Sequence, residues 1–466
     1  MALTIEQNPL YTLNVAGQEV IFTVLDAATV SAYYNVRYKA EVHISETDID
    51  LNTSVSIGTF KTNPNNAGAG MFNFRQVVES FVSPDNLAAI GSEYKTETTS
   101  ATTTHPLHLI DKYSLNNNNV RYLKIRFTVE GSTTASSAAS IIDTEDSSQY
   151  TLINGYLKHT DVQDRDASGN FGFDTTYLTM KVTPEGYYLT NAPLTQNANI
   201  EDYGTLSFLA TPNPSFPSTT TVDNVLYTFY DTSGTPYLFT ELVNNTDANG
   251  GNTTWDSDTK NQLLHIGCFP ANLRNWSSVM TGAMANNLSY YTVQLRNSYD
   301  TAISKTFTIN INCPTLKGFE PIRLAWLNQW GAWDYYTFTM KSTKTISTKG
   351  STYQQIEGTW NDSIYIPSGY KGGTKAFRVN ATEKIKMNTD FVNEAEAELF
   401  EELINSPEVY VLEGFQTDPT NPLLNNYVTP VRLTTSNFAK KTIANDKLIQ
   451  YTFEVEKSKT LRTQSV

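Results

Sequence analysis

Five short stretches carry residue types able to do chemistry. His265-Ile266-Gly267-Cys268 sets an imidazole and a thiol three apart, and His105-Pro106-Leu107-His108 sets two imidazoles at the same spacing. Each is half of a tetrahedral zinc site. No second half stands at a recognised spacing in a chain with only five histidines, so ordinary core or loop positions are expected. Gly369-Tyr370-Lys371-Gly372-Gly373-Thr374-Lys375 has the glycine density of a phosphate loop. It lacks the Gly-Lys-Ser/Thr ending and a clear apolar strand before it, and a β-hairpin turn is the better reading. The glutamates between 394 and 402 fall at helical spacing and not at alternate positions of a loop, which suits a solvated helix face better than calcium. Trp333-Asp334 would offer a sugar platform beside an acid. Glycoside cleavage takes two carboxylates, and no second one stands out among the 47 acids. No Ser-His-Asp or Cys-His frame is recognisable. The expectation is a chain with no catalytic residues, no cofactor and no metal.

The most distinctive stretch is Trp326-Leu327-Asn328-Gln329-Trp330-Gly331-Ala332-Trp333-Asp334-Tyr335-Tyr336-Thr337-Phe338. It holds six aromatic residues, one glycine and one acid in thirteen positions, with no histidine, cysteine or lysine. Aromatics joined by Asn and Gly suit a turn that locks one end of a β-structure and feeds a strand. Trp326 and Phe338 are expected to be buried, with Asn328 and Gly331 making the turn.

The elements that must position this segment read as strands. Val36, Tyr38, Ala40, Val42 and Ile44 alternate with polar residues, as do Leu123, Ile125, Phe127 and Val129, the mark of half-buried strands. Gly70 to Val82 reads as a strand end running into a short helix that stops at Ser83-Pro84. Ser114 to Asn119 and Asn63 to Gly70 read as loops. Residues 132 to 148 are of low complexity and suit a linker or a long exposed loop. Strands are expected at Thr176–Val182, Leu206–Ala210, Val225–Tyr230, Tyr290–Leu295 and Thr306–Asn312, with the turn cluster Asn245 to Asn252 among them. After the aromatic segment come strand-like runs at Tyr335–Met340 and Lys375–Val379. One amphipathic helix follows over Asp390–Ile404, with Val392, Ala395, Leu399 and Leu403 on one face and a stop at Ser406-Pro407. No internal repeat of fixed period is found.

This pattern predicts an all-β fold of several β-sandwich-like domains with one or two short helices. The expected map is an N-terminal β domain over 1–131, a middle β-sandwich with long loops over 149–314, and a C-terminal β domain with the amphipathic helix over 315–466. Composition agrees. Charged residues are 17%, while 27 Tyr and 22 Phe supply material for cores and strands, so polarity alone does not argue for disorder.

The net charge of −14 is uneven: residues 315–466 hold 17 basic and 17 acidic residues, and the first 314 hold 16 and 30. An acidic front argues against direct contact with a nucleic-acid backbone. The first residues lack a basic segment followed by an apolar one, so no signal peptide is expected. No window approaches the roughly 18 apolar residues of a membrane span. Cys268 and Cys313 are the only cysteines, too few for a disulfide framework, and both are expected to be reduced.

The C-terminal block resembles virion structural proteins of tailed bacteriophages, of the tail- or baseplate-associated kind. The pattern is Arg-x-x-Trp-Leu-Asn-x-x-Gly-x-x-Asp-x-x-x-Phe, met here by Arg323, Trp326, Leu327, Asn328, Gly331, Asp334 and Phe338. Trp330 and Trp333 make this copy more aromatic than the pattern. A helix exit with Leu403, Ser406, Pro407, Val409 and Tyr410 follows, then strands at Pro430–Leu433 and Lys447–Val455. The strand leading into Gly70-Met71-Phe72-Asn73-Phe74-Arg75 is similar to openings of these proteins. The middle block carries no such likeness. The resemblance implies a non-enzymatic structural subunit of the tail, baseplate or fibre-attachment region, made in the host cytoplasm and resident in the virion. Its implied partners are copies of itself and other virion proteins. The alternative it leaves open is a receptor-binding protein that takes a host surface glycan. A tail-associated glycan hydrolase ranks below both.

Overall fold

The computed structural model describes residues 2–84, 107, 113–116, 118–158, 163–180, 183–210, 219–244, 261–285, 287–312, 318–359, 363–412, 428–442, 448–459 and 461–462. The fold is all-β, with strands taking 47% and short helices 10%. The chain divides into two compact units. The first holds the described residues up to Asn312 together with Leu327–Asp334, and the second holds the rest. Among the described residues no helix is long and apolar enough to cross a membrane.

In the first unit the expected alternating strands are Tyr34–Ser45 and Val120–Ser132, paired antiparallel from Tyr34↔Ser132 to Ser45↔Tyr122. Their inward residues Tyr38, Ala40, Val42, Leu123, Ile125, Phe127 and Val129 are all fully buried. Phe22, Phe72, Phe74 and Tyr150 complete that core, with ring centroids 5.5 to 6.0 Å apart. Four of these pairs are tilted or edge-on, which suits the aromatic quadrupole, and Phe72–Phe74 is stacked with its planes 6° apart. Ala69–Asn73 is a strand and Arg75–Glu79 a one-turn helix, so the short helix expected after Gly70 lies there.

The low-complexity stretch is not a simple loop. Ser140–Asp146 is a strand beside Val120–Ser132, largely exposed, and it shares that sheet with Tyr150–Ile153. Strands from both sides of the 132–148 boundary therefore belong to one sheet. Tyr113–Asn116, read as loop from its asparagines, is a strand against Gln262–Gly267, where pairing with a distant segment overrides local composition.

The other strands that the sequence predicted in this unit are Asn224–Asp231, Leu288–Arg296 and Phe307–Asn312 in one sheet and Thr205–Ala210 in another, close to the expected bounds. Thr176–Val182 is a correction. Thr176–Leu178 is a 3-10 turn, because the Asp174 carboxylate accepts from Thr176 N at 2.9 Å and Thr176 Oγ1 at 2.5 Å, a local bond that competes with a strand. Helices Pro270–Trp276 and Ser278–Ala285 carry no amphipathic signature in the sequence. Proline at the first helical position is the sequence signal of the former, and Ser277, whose Oγ accepts from Met280 N at 2.9 Å, is that of the latter. Asn245 to Asn252, His105, His108 and Cys313 lie outside the described residues.

An eight-stranded sheet runs in the order Trp333–Phe338, Ile322–Leu327, Val409–Leu412, Val428–Leu433, Thr452–Lys457, Gly373–Asn388, Thr343–Gln355, with Leu461–Arg462 also beside Gly373–Asn388. Phe338, Phe400 and Phe453 meet at 5.4 to 6.4 Å under the helix Glu396–Asn405. That helix starts later than expected. Asn393 Oδ1 accepts from Glu396 N at 3.0 Å, and Glu396 Oε2 accepts from Asn393 N at 2.8 Å. This reciprocal pair satisfies two otherwise orphan donors at the helix start.

Candidate functional site

The aromatic segment folds as a hairpin whose turn is closed by Asn328. Its backbone N–H donates to Ala332 O at 2.8 Å, and its Oδ1 accepts from the N–H of Trp330 and of Ala332, both at 3.0 Å. An asparagine side chain that accepts from the backbone two residues on is the usual chemistry of such turns. Gly331 sits at φ +71, where a side chain is strained, and a Cβ there would lie 2.6 Å from Asn154 O.

The turn's outward polar groups are all directed at other parts of the first unit. Asn328 Nδ2 donates to Leu189 O at 2.8 Å, Trp330 Nε1 to Asn191 Oδ1 at 3.2 Å, and Asn119 Nδ2 to Gly331 O at 3.1 Å. Tyr156 N donates to Gln329 O at 2.9 Å, and Thr190 Oγ1 to Asp334 Oδ1 at 2.5 Å. Trp330 and Ala332 join an apolar cluster with Leu13, Val15, Ile153 and Leu189, and the Trp330 ring lies 5.9 Å from Phe173. Asp334, on which the sugar-platform idea depended, is thus a buried hydrogen-bond acceptor.

The other motif residues lie in the sheet. Trp326 is fully buried opposite Val409, and its indole N–H has no hydrogen-bond partner among the described residues. Leu327 and Trp333 are buried at the two ends of the turn. Arg323 is buried, donates from Nη1 to Thr337 Oγ1 at 2.8 Å, and holds its guanidinium 5.1 Å from the Tyr335 ring centroid, within cation–π range. Phe338 is in the aromatic cluster under the helix. The structure brings Asn328, Trp330, Gly331 and Asp334 together in one unit and places Arg323, Trp326 and Phe338 in the other.

The remaining candidates are structural as well. His265 is fully buried, its Nδ1 2.6 Å from Ser207 Oγ on the paired strand, and Cys268 O accepts from Tyr291 OH at 2.6 Å. Among the described residues no three His, Cys, Asp or Glu side chains gather where they could share a metal ion. Gly369–Lys375 lies where the chain returns into Gly373–Asn388, with Gly372 at φ +99 and Gly373 at φ +75. Lys371 N donates to Ser368 O at 2.9 Å, a local turn at the end of the long connection from Gln355 to Gly373 and not the tight hairpin turn expected. Glu396 caps its helix, and burial pushes its carboxyl above the ordinary value. An open concavity on the N-terminal sheet includes Glu41, Glu145 and Asp146. Asp146 is engaged by Arg126 at 2.8 and 3.0 Å.

One surface feature had no sequence signal. Thr343–Gln355 and Gly373–Asn388 form a long antiparallel ribbon, from Thr343↔Lys386 out to Gln355↔Gly373. Thr452–Lys457 covers only Lys384–Asn388, and Leu461–Arg462 only Asn380 and Ala381. Beyond that point the ribbon has two strands and solvent on both faces. Seven of the 21 exposed large apolar side chains among the described residues lie between 343 and 388, Ile364 at 70% and Tyr370 at 78% exposure among them.

No family model and no curated protein sequence matches this chain. Two solved structures are weakly similar. E. coli alpha-2-macroglobulin in its native conformation shares 8% identity at a TM-score of 0.18, covering 83% of this chain and 22% of that one. Salmonella alpha-2-macroglobulin reacted with methylamine shares 8% at a TM-score of 0.19, covering 99% and 30%. The chain thus spans less than a third of either, and at this score the likeness carries no argument about fold or function.

Proposed function

We propose that this chain is a non-enzymatic structural subunit of a tailed-phage virion, placed in the tail, baseplate or fibre-attachment region and assembling as a homo-oligomer. It would be made in the host cytoplasm and work among copies of itself and other virion proteins. The observation that carries the reading is the state of the Arg323–Phe338 segment. This is the part of the chain that resembles virion proteins, and its polar groups bond inward while its aromatics are buried. A segment used in that way serves architecture and not turnover. Abundant strands with open edges add support, since a subunit covers such edges with its neighbours.

A second reading, glycan binding, draws on exposed Tyr365 and Tyr370 at the end of the ribbon, rings of the kind that stack on sugars. In the middle block Tyr188, Tyr227, Phe229, Tyr291 and Phe307 are buried while Tyr187 and Tyr299 are exposed, so most of its described large aromatics serve the core, which weighs toward the structural reading.

The test is mass photometry of the purified chain together with cross-linking in intact particles. A defined oligomer with self-cross-links inside the virion is expected. A monomer that makes no self-contact in particles overturns the proposal, and specific capture on a glycan array by an otherwise monomeric chain replaces it with the second reading.

A further inference from the structure

We infer that the ribbon Thr343–Asn388 is a docking arm, and that its occupant is the acidic edge strand Ser140–Asp146 of a second copy of this chain. The inference rests on the reading of the protein as an assembling subunit and adds which surfaces meet.

The physical case begins with the ribbon's own instability. A two-stranded hairpin is marginal in water unless one face is packed. Here Thr343–Thr352 is exposed throughout, and Ile346, Ile356, Ile364, Ile366, Tyr370 and Phe377 face solvent. Thr343–Gln355 is also the last strand of its sheet and pairs on one side only, with Gly373–Asn388. Its outer backbone groups form an open row that pairs readily with another strand.

Charge selects the partner. Residues 343–388 hold seven basic and three acidic side chains, in a chain whose first 314 residues hold 16 basic and 30 acidic. A basic arm is repelled by another arm and drawn to the front portion. Among the described residues the open edge with most acids there is Ser140–Asp146, while the edge Thr4–Gln7 carries only Glu6. Ser140–Asp146 pairs only with Val120–Ser132 and carries Asp143, Glu145 and Asp146, with Ile141 exposed at 63% beside them. The edge Gly58–Thr62 carries Lys61 and no acid, and Pro236–Asn244 carries a single acid, Glu241. Length agrees as well. The uncovered stretch Gly350–Gln355 has six residues and the edge Ser140–Asp146 seven, so the two are of comparable length at roughly 20–23 Å of strand. Added as a strand, the arm would contribute backbone hydrogen bonds and set Lys349 near the carboxylates, while its apolar end would cover Ile141 or its surroundings. An arm of one copy on the body of the next is a heterologous contact, which either closes into a ring or reciprocates as a dimer.

The experiment uses the full chain and two charge-reversed variants. One carries Lys349→Glu with Arg378→Glu on the arm, and the other carries Thr144→Lys with Glu145→Lys on the edge. All four side chains are exposed, and circular dichroism establishes that both variants fold. Sedimentation velocity at low salt follows association over a concentration series. The parent should associate, each variant alone should associate about tenfold more weakly, and an equal mixture of the two should recover to within about threefold of the parent. Variants that associate as tightly as the parent, or a mixture no stronger than its components, overturn the docking arm while leaving an assembling subunit in place. A parent that stays monomeric at every concentration overturns both.

Discussion

Two hairpins lie four residues apart in the chain and meet opposite fates. The first, Ile322–Phe338, has a buried turn, Leu327–Asp334, whose side chains hydrogen-bond to other residues of the first unit, to which the turn belongs. The second, Thr343–Asn388, runs out into solvent on both faces. Both use the same ladder chemistry, so backbone pairing does not separate them. What differs is side-chain content. Three tryptophans with Asn and Gly give the first hairpin enough apolar area to hold a fixed place, about 2–3 kcal/mol for each buried large ring. Thr, Ser and Lys give the second almost none along Thr343–Ser351, and its apolar residues cluster instead toward the far end. The first hairpin is a fixed part of the fold, and the second presents a surface.

The comparison breaks first if the inner turn proves dispensable. Trp330→Ala should cost about 3–5 kcal/mol, since it empties a site in the Leu13–Leu189 cluster and removes the indole bond to Asn191 Oδ1. Thermal or urea unfolding measures it, and a loss below 1 kcal/mol would mean the turn is not packed as described. Trp326 sharpens the point. Its indole N–H is buried without a partner, so Trp326→Phe should cost less than Trp330→Phe, which gives up a hydrogen bond. The reverse order in the same unfolding experiment would contradict the two environments.

Next in size is Asn328→Ala. It removes the acceptor for Trp330 N and Ala332 N and the donor to Leu189 O. Losing buried partners of this kind should cost about 2–3 kcal/mol. Asn328→Asp keeps the acceptor but places a carboxylate against Leu189 O, and should be no better than alanine by the same measurement.

Much of the inner hairpin was legible in the sequence, because its chemistry is local. Asn328 accepts from residues two and four ahead, and Gly331 stands where a positive φ is needed, both visible within five positions. What the turn packs on was not legible. Leu189, Asn191 and Asn154 lie well over a hundred residues earlier and read as parts of a separate block. Alternation found Tyr34–Ser45 and Val120–Ser132 because each has one face in the core. The same test says little about Thr343–Gln355, where both faces are wet and nothing alternates in hydrophobicity. It likewise passes over Ser278–Ala285, whose Ala, Gly and Met residues present no polar stripe. Periodicity detects a contrast in hydrophobicity between two faces. Thr343–Gln355 lacks it because both faces are wet, and Ser278–Ala285 lacks it because Val279, Gly282 and Met284 sit half-buried beside the buried Met280 and Ala283.

A smaller effect tests whether burial also sets ionisation beside the inner hairpin. Burial holds the Glu396 carboxyl above its ordinary value, partly offset by the Asn393 N–H. A raised folded value means that folding favours the protonated form. The associated stability is therefore full below the unfolded value and is lost as pH rises through the folded one. Glu396→Gln keeps an acceptor for the Asn393 N–H and removes the charge. The variant should be slightly more stable than the parent at pH 7, with the difference vanishing by about pH 4. A gain that persists unchanged at low pH would point to something other than ionisation.

The smallest stability effect belongs to the outer ribbon, and it is the one that separates the two hairpins most cleanly. Ile364→Ser with Tyr370→Ser replaces two side chains that are 70% and 78% exposed. Surface changes that touch no packed group stay within about 0.5 kcal/mol, so the unfolding midpoint of the dilute, unassociated chain should not move. Removing exposed apolar area should instead weaken self-association, because that area would be covered only between copies. Unfolding at low concentration and sedimentation at high concentration read the two quantities separately. A drop in stability of about 2 kcal/mol or more would show that the ribbon's end is packed within its own chain, and the contrast between an inner and an outer hairpin would fall. Unchanged stability with unchanged association would leave the contrast standing and strip the apolar end of its role, leaving charge and the open strand edge to carry the docking alone.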